Sequence, residues 1–235
     1  MRPFPAIAAL LAATLLCVQV RAADTVSVGG AQAVLLKPNG EPVGSLILMA
    51  GGNGRLNIGP GGTIGSLKGN QLVRTREAYV ARGFAVLVPD AGVNVAAAVK
   101  YMAAIKRPVT LVGTSRGTQR AAEGLAAGAR PDALVLTSGF LSPQSGEGEH
   151  RSVIALLGSP SRLPRTLVIH HRRDGCRWTS PNGVAPFVAW SGGKARVAWL
   201  DGGSASGDPC EARGHHGFNG QDSEVVNLVA GFASP

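Results

Sequence analysis

The 235-residue chain has few aromatic side chains and little charge: Phe, Tyr and Trp make up 5%, and Asp, Glu, Lys and Arg 16%. So few aromatics deny it the stacking platforms of a protein that binds single-stranded nucleic acid. Its bases are scattered and never form a Lys/Arg block. The formal net charge of +9 therefore reads as a basic solvated surface, and no nucleic-acid partner is expected. The metal-ligand spacings H-E-x-x-H and C-x-x-C are absent. So is the G-K-[S/T] of a phosphate loop, although Gly59-Pro60-Gly61-Gly62-Thr63-Ile64-Gly65 is glycine-rich enough to raise the question. No metal and no other cofactor are expected. Beyond the N-terminus no apolar run is long enough to span a bilayer.

What the N-terminus does contain is Arg2, an apolar run over 7–18, and then Val20-Arg21-Ala22-Ala23. A positive start, a short apolar core and a small-residue exit predict a signal peptide over 1–22, cleaved after Ala22 or Ala23. The run is too short to serve comfortably as a membrane anchor. A lipoprotein modified at Cys17 is a poorer reading, because the bulky Leu16 precedes that cysteine. The mature chain, 23–235, is expected to be exported to the periplasm or beyond, with no stable membrane insertion. At roughly 210 residues it suits one domain with a sizeable core and is short for two. Without Arg2 and Arg21 its formal charge is about +7. Of three cysteines only Cys176 and Cys210 then remain. An even number in an oxidising compartment predicts one disulfide.

Strand-like and helix-like stretches alternate along the mature chain. Strands are predicted over 25–28, 33–36, 45–49, 84–88, 109–112, 133–137, 166–169 and 196–200. Helices are predicted over 71–82, 93–105, 118–127, 184–190 and 222–232. The apolar runs at 45–49 and 84–88 have the pattern of strands buried on both faces. Strands alternating with helices of this length imply an α/β domain with a mostly parallel central sheet flanked by helices. Ligands then bind beyond the carboxyl ends of the strands. Gly113-Thr114-Ser115-Arg116-Gly117 stands at such an end, between a buried strand and a helix. G-x-S-x-G in that setting is the pattern of a nucleophile elbow, in which a tight turn lifts a serine hydroxyl above the sheet. A plain glycine-rich turn with a capping serine is the bland alternative.

Two further segments carry a resemblance. Gly214-His215-His216-Gly217-Phe218 lies just before the last helix, and Leu167-Val168-Ile169-His170-His171-Arg172-Arg173-Asp174 ends a strand. Together with the elbow, these resemble the α/β-hydrolase superfamily near its dienelactone-hydrolase-like and prolyl-oligopeptidase-like serine hydrolases, which carry an H-G-F-type motif and an L-V-I-H-G-x-x-D pattern. The resemblance implies the α/β-hydrolase fold with a minimal lid, and a triad of Ser115, Asp174 and His216 in the superfamily's chain order. It selects His216 over His215, and Asp174 over Asp201 and Asp208. The residue after the nucleophile, Arg116, would give one oxyanion N–H. The loop Ala50-Gly51-Gly52-Asn53-Gly54 resembles the H-G-G-G-type loop, with Ala50 where histidine often stands, and would give the other donor from Gly52, or from Asn53.

A disulfide from Cys176, two residues past Asp174, to Cys210, six before His216, would tie the two loops that carry acid and base. The implied activity is a serine esterase acting on a small-molecule ester. Only about thirty residues separate the strands at 133–137 and 166–169, which suggests short acyl chains. Arg116, Arg172, Arg173 and Arg177 hint at an anionic substrate. The other readings are a serine peptidase or amidase, a non-catalytic binding protein on the same scaffold, and a metal site among His170, His171, Asp174, Cys176, His215 and His216.

Overall fold

The computed structural model of the chain describes residues 23–146 and 152–235; the expected signal peptide, residues 1–22, lies outside the described residues. The described residues form eight strands. They are β1 (Asp24–Val28), β2 (Ala31–Leu36), β3 (Gly44–Met49), β4 (Phe84–Pro89), β5 (Val109–Thr114), β6 (Ala133–Thr137), β7 (Arg165–His171) and β8 (Ala195–Leu200). They form one sheet in the order β1-β2-β4-β3-β5-β6-β7-β8. Within this sheet the opening hairpin pairs antiparallel, β1 with β2 and β2 with β4, and every later pairing is parallel. Side chains in a strand alternate between faces, and the core divides accordingly. Leu46, Leu48, Val86, Val88, Val112, Val135, Leu167 and Ile169 face one layer, while Ile47, Leu87, Leu111, Leu134 and Val168 face the other.

Helices α1 (Gln71–Arg74), α2 (Arg76–Val80) and α7 (Asp222–Ala233) cover the first face through Leu72, Val73, Tyr79, Val225, Val226 and Val229. Helices α3 (Val95–Ile105), α4 (Arg116–Ala126), α5 (Val153–Leu157) and α6 (Val184–Trp190) cover the second through Val99, Met102, Ala122, Leu125, Leu156 and Phe187. The predicted helix over 71–82 is two short helices. At Thr75 the backbone turns to φ −100°, ψ 2°, and its hydroxyl donates to the Gln71 carbonyl at 2.6 Å. A threonine that bonds the preceding turn in this way offers the backbone an alternative to the helix ladder. Helix α3 starts at Val95 and not at 93 because the Asn94 side chain caps it, accepting from Ala97 N–H at 2.9 Å.

The registers set the site. Met49 pairs with Gly113, Thr114 with Thr137, and Thr137 with Ile169, so β3, β5, β6 and β7 end nearly level. The loops after them emerge side by side at one edge of the sheet. At the far side β8 is an edge strand; Trp199 on it is 36% exposed, with the Arg172 guanidinium 5.1 Å above its ring. Charge over an exposed edge discourages pairing with another chain. Among the described residues no helix is long and apolar enough to cross a membrane.

Candidate active site

Ser115 follows β5 directly and caps α4, with φ 52° and ψ −126°. A non-glycine residue held there is strained, by about 1–3 kcal/mol. The flanking glycines make the turn possible. A Cβ on Gly113 would stand 2.6 Å from the Gly117 carbonyl oxygen, and one on Gly117 would run into the Met49 carbonyl. The strained serine is held at both ends: its N–H donates to Thr137 O at 3.0 Å, and its carbonyl accepts from the Thr118 hydroxyl at 2.6 Å. Arg116 is the first residue of α4, so its N–H is one of the donors that a helix start leaves without an intrahelical acceptor.

His216 sits in a short turn before α7, and Asp174 in the turn after β7. They are 42 residues apart in sequence, with His216 Nδ1 at 3.0 Å from Asp174 Oδ2 and both groups buried. Thr179 joins them. Its Oγ1 lies 2.9 Å from the same Nδ1 and donates to Asp174 Oδ2 at 3.2 Å. The other carboxylate oxygen, Oδ1, accepts from Cys176 N–H at 2.9 Å. With its lone pairs directed this way, Asp174 favours the tautomer with hydrogen on Nδ1, leaving Nε2 of His216 as the acceptor. The backbone of His216 is fixed too: its carbonyl accepts from the Ser138 hydroxyl at 2.8 Å, and the next carbonyl, Gly217 O, accepts from Arg74 Nη2 at 2.8 Å.

The rival residues are engaged elsewhere. Asp201 is exposed and pairs with Arg173 at 3.2 Å, and Asp208 accepts from Cys210 N–H at 2.8 Å. His215 stacks on His171, with ring centroids 4.2 Å apart. Among the described residues no three His, Cys, Asp or Glu side chains are grouped to hold a metal ion. Ser115, Arg116 and His216 line one hollow of about 400 Å³, together with Gly51, Gly52, Asn70, Leu67, Phe140, Trp178 and Ala212. Gly51 touches the serine; a Cβ there would lie 3.0 Å from Ser115 Cβ. Gly52 reaches the hollow, whereas Asn53 turns its side chain back to accept from Arg55 N–H at 2.9 Å. Of the four arginines near the expected mouth only Arg116 lines it. Arg177 lies 4.4 Å over the Trp178 ring, and Arg172 and Arg173 have the partners given above.

No family model and no curated protein matches the sequence. Solved structures do match the architecture. The esterase domain of a Rhodothermus marinus protein superposes with a TM-score of 0.63 at 16% identity, covering 92% of this chain and 98% of that one. Brefeldin A esterase, described as a bacterial homologue of human hormone-sensitive lipase, gives 0.61 at 16% identity over 97% and 80%. Carboxyl esterase 2 of the fungus Tuber melanosporum gives 0.57 at 14% over 94% and 87%. This chain has the α/β-hydrolase fold.

Within that α/β-hydrolase fold the disulfide between Cys176 and Cys210 is formed, with Cα atoms 4.5 Å apart and both cysteines on the wall of the hollow. It closes a loop spanning 34 positions. Loop-closure entropy for that length is about 4 kcal/mol. Reducing the bond, or replacing both cysteines by serine, is expected to lower the unfolding free energy by about that amount in urea titrations. Equal midpoints for oxidised and reduced protein would contradict this.

His170 is buried beside Asp174, with Nε2 4.0 Å from Asp174 Oδ2 and Nδ1 at 3.3 Å from the His171 carbonyl. Burial pushes its pKa down, outweighing the pull of Asp174 in the other direction. It thus stays neutral and does not compete with His216 for the carboxylate. Because the unfolded chain protonates this imidazole near pH 6.5 and the folded one does not, stability is lost as pH falls below about 6.5. The slope approaches about 1.4 kcal/mol per pH unit for one proton. His170→Gln is expected to flatten that acid limb in melting curves between pH 7 and 5; parallel limbs in variant and wild type would refute it.

The sequence motifs do not point to Thr179, Ser138 or Arg74, which hold the loops around this hollow. Each acts through the fold: Thr179 reaches across 37 positions to His216, and Ser138 across 78. No spacing in the sequence signals such contacts.

Proposed function

We propose that the chain is an exported serine hydrolase of small carboxylic esters, with Ser115 as nucleophile, His216 as general base and Asp174 orienting the imidazole. The observation that carries this reading is the strained Ser115 sharing one hollow with His216, whose far nitrogen is bonded to a buried carboxylate. His216 Nε2 takes the Ser115 proton as Oγ attacks the ester carbonyl, and Asp174 stabilises the imidazolium that forms. The developing oxyanion is met by the N–H groups of Arg116 and Gly52. Collapse expels the alcohol, which takes the proton from His216. Water, deprotonated by the same histidine, then attacks the acyl-enzyme and releases the acid and free Ser115.

Esters are favoured by three similar structures described as esterases, and small ones by the modest hollow with Leu67, Phe140 and Ala212 on its wall. The leader-like segment at 1–22 and the disulfide support export. The test is hydrolysis of p-nitrophenyl acetate and butyrate by residues 23–235, with mass-spectrometric mapping of a fluorophosphonate label. Turnover with the label on Ser115 is expected. No turnover and no label would leave a binding protein on a hydrolase scaffold, and cleavage of p-nitroanilides in preference to esters would make it an amidase.

A further inference from the structure

The loop that carries Gly52 has no regular structure of its own, yet an oxyanion donor is useful only if it is held in place before the reaction. Its support is Arg120, which lies one turn along α4 from Arg116. The Arg120 guanidinium donates from Nη2 to the Ala50 carbonyl, and also reaches Gly51 O at 3.4 Å and, from Nη1, Gly52 O at 3.2 Å. It packs against Gly54, whose φ is 72° and where a Cβ would come within 2.8 Å of Cζ and Nη2, so a side chain there would be strained and would press on the guanidinium. The loop closes behind it through Gly54 N–H to Gly51 O at 3.1 Å.

Peptide planarity turns these three contacts into a statement about donors. In a trans peptide the carbonyl of one residue and the N–H of the next point in opposite directions. Holding the carbonyls of Ala50, Gly51 and Gly52 on one side therefore aims the N–H groups of Gly51, Gly52 and Asn53 to the other. The two sides open onto different hollows. Arg120 lines one with Met49 and Asn94, while Gly51 and Gly52 line the one that holds Ser115. Among the described residues no protein acceptor is paired with the Gly52 or Asn53 N–H. From this geometry we infer that Arg120 is a positioning residue that sets the oxyanion loop, so that α4 supplies one donor from its first N–H and orients the other through its second turn.

An arginine suits this task and a lysine does not, because a planar fork can meet several fanned carbonyls at once. Burial and the neighbouring Arg116 charge lower the Arg120 pKa, but a guanidinium remains cationic throughout the working range. A fixed cation bonded to these carbonyls also polarises their peptides, which strengthens the opposite N–H groups as donors.

The inference rests on the serine-hydrolase reading, and the experiment separates the two. Arg120→Gln and Arg120→Lys are compared with wild type for kcat per Ser115 site titrated with fluorophosphonate, KM for p-nitrophenyl butyrate, and melting temperature. The fourth measurement is Ki for a trifluoromethyl ketone, whose adduct with serine carries an oxyanion. In Arg120→Gln, kcat per site is expected to fall about 10–100-fold, within the range for losing one oxyanion donor. KM should stay within about twofold and Ki should rise in step with the loss in kcat, as for an interaction made only in the transition state. Arg120→Lys, which keeps the charge and most of the volume, should recover only part of the loss. If melting temperature falls while kcat per site and Ki stay at wild-type values, Arg120 is packing alone and the inference is overturned. If wild type itself neither turns over nor labels at Ser115, the hydrolase reading fails and the inference falls with it.

Discussion

Replacing Ser115 by alanine is expected to remove about 10^5–10^6 of turnover, the loss seen when a triad nucleophile is deleted. The residual rate would come from the oxyanion donors alone. The large figure follows from the interdependence of the groups. Without the Ser115 hydroxyl, His216 has no proton to take, and the Asp174–His216 pair has no reaction to drive. Folding should survive, because the Ser115 contacts recorded above are made by its backbone to Thr137 and Thr118, and alanine keeps them. Glycine at the same position gives a second readout. Relief of the strain at φ 52° should make Ser115→Gly more stable than wild type by about 1 kcal/mol while equally inactive. Ester hydrolysis by Ser115→Ala within tenfold of wild type would remove Ser115 from the mechanism.

Asp174→Asn should lower kcat about 10^4-fold with little change in melting temperature. Oδ1 accepts from Cys176 N–H, so an asparagine places its oxygen there and turns its NH2 toward His216 Nδ1. A donor at that position requires Nδ1 to accept, which moves the ring hydrogen to Nε2 and leaves no lone pair for the serine proton. Thr179 cannot repair this; its hydroxyl, freed from the carboxylate, also has a hydrogen to give to Nδ1. The control is Asp201→Asn, on an exposed carboxylate paired with Arg173, which should leave kcat nearly unchanged. A collapse in Asp201→Asn with Asp174→Asn intact would move the acid role to the later strand.

The features legible in the sequence are those fixed by local chemistry. The buried strands β3, β4, β5 and β6 announce themselves as short apolar runs, and G-x-S-x-G marks its turn because each glycine meets backbone where no side chain fits. The strand alternation implies an α/β domain with a mostly parallel sheet, and the resemblance of the motifs at 113–117, 167–174 and 214–218 narrows it to the α/β-hydrolase fold. What escaped the sequence depends on a side chain spending its hydrogen bonds somewhere unforeseen. Thr75 bonds Gln71 and splits one expected helix in two. The Asn53 side chain turns back to accept from Arg55 N–H. Arg172, Arg173 and Arg177 settle on Trp199, Asp201 and Trp178, contacts that no spacing in the sequence announces. Arg120 looks in sequence like any solvent-facing charge on an amphipathic helix; only the approach of the 50–54 loop gives it a task.

The covalent link between Cys176 and Cys210 also bears on how the site comes apart. The segment over 201–209 is exposed and has little apolar contact, the character of a region that opens locally well before the sheet does. Left untied, it could fray toward His216 on its own. Bonded to the turn behind Asp174, it can open far only by taking part of the β7 end with it, so the loops of Asp174 and His216 behave as one cooperative unit. Loss of activity on heating should then coincide with global melting in the oxidised protein, and precede it once the bond is reduced.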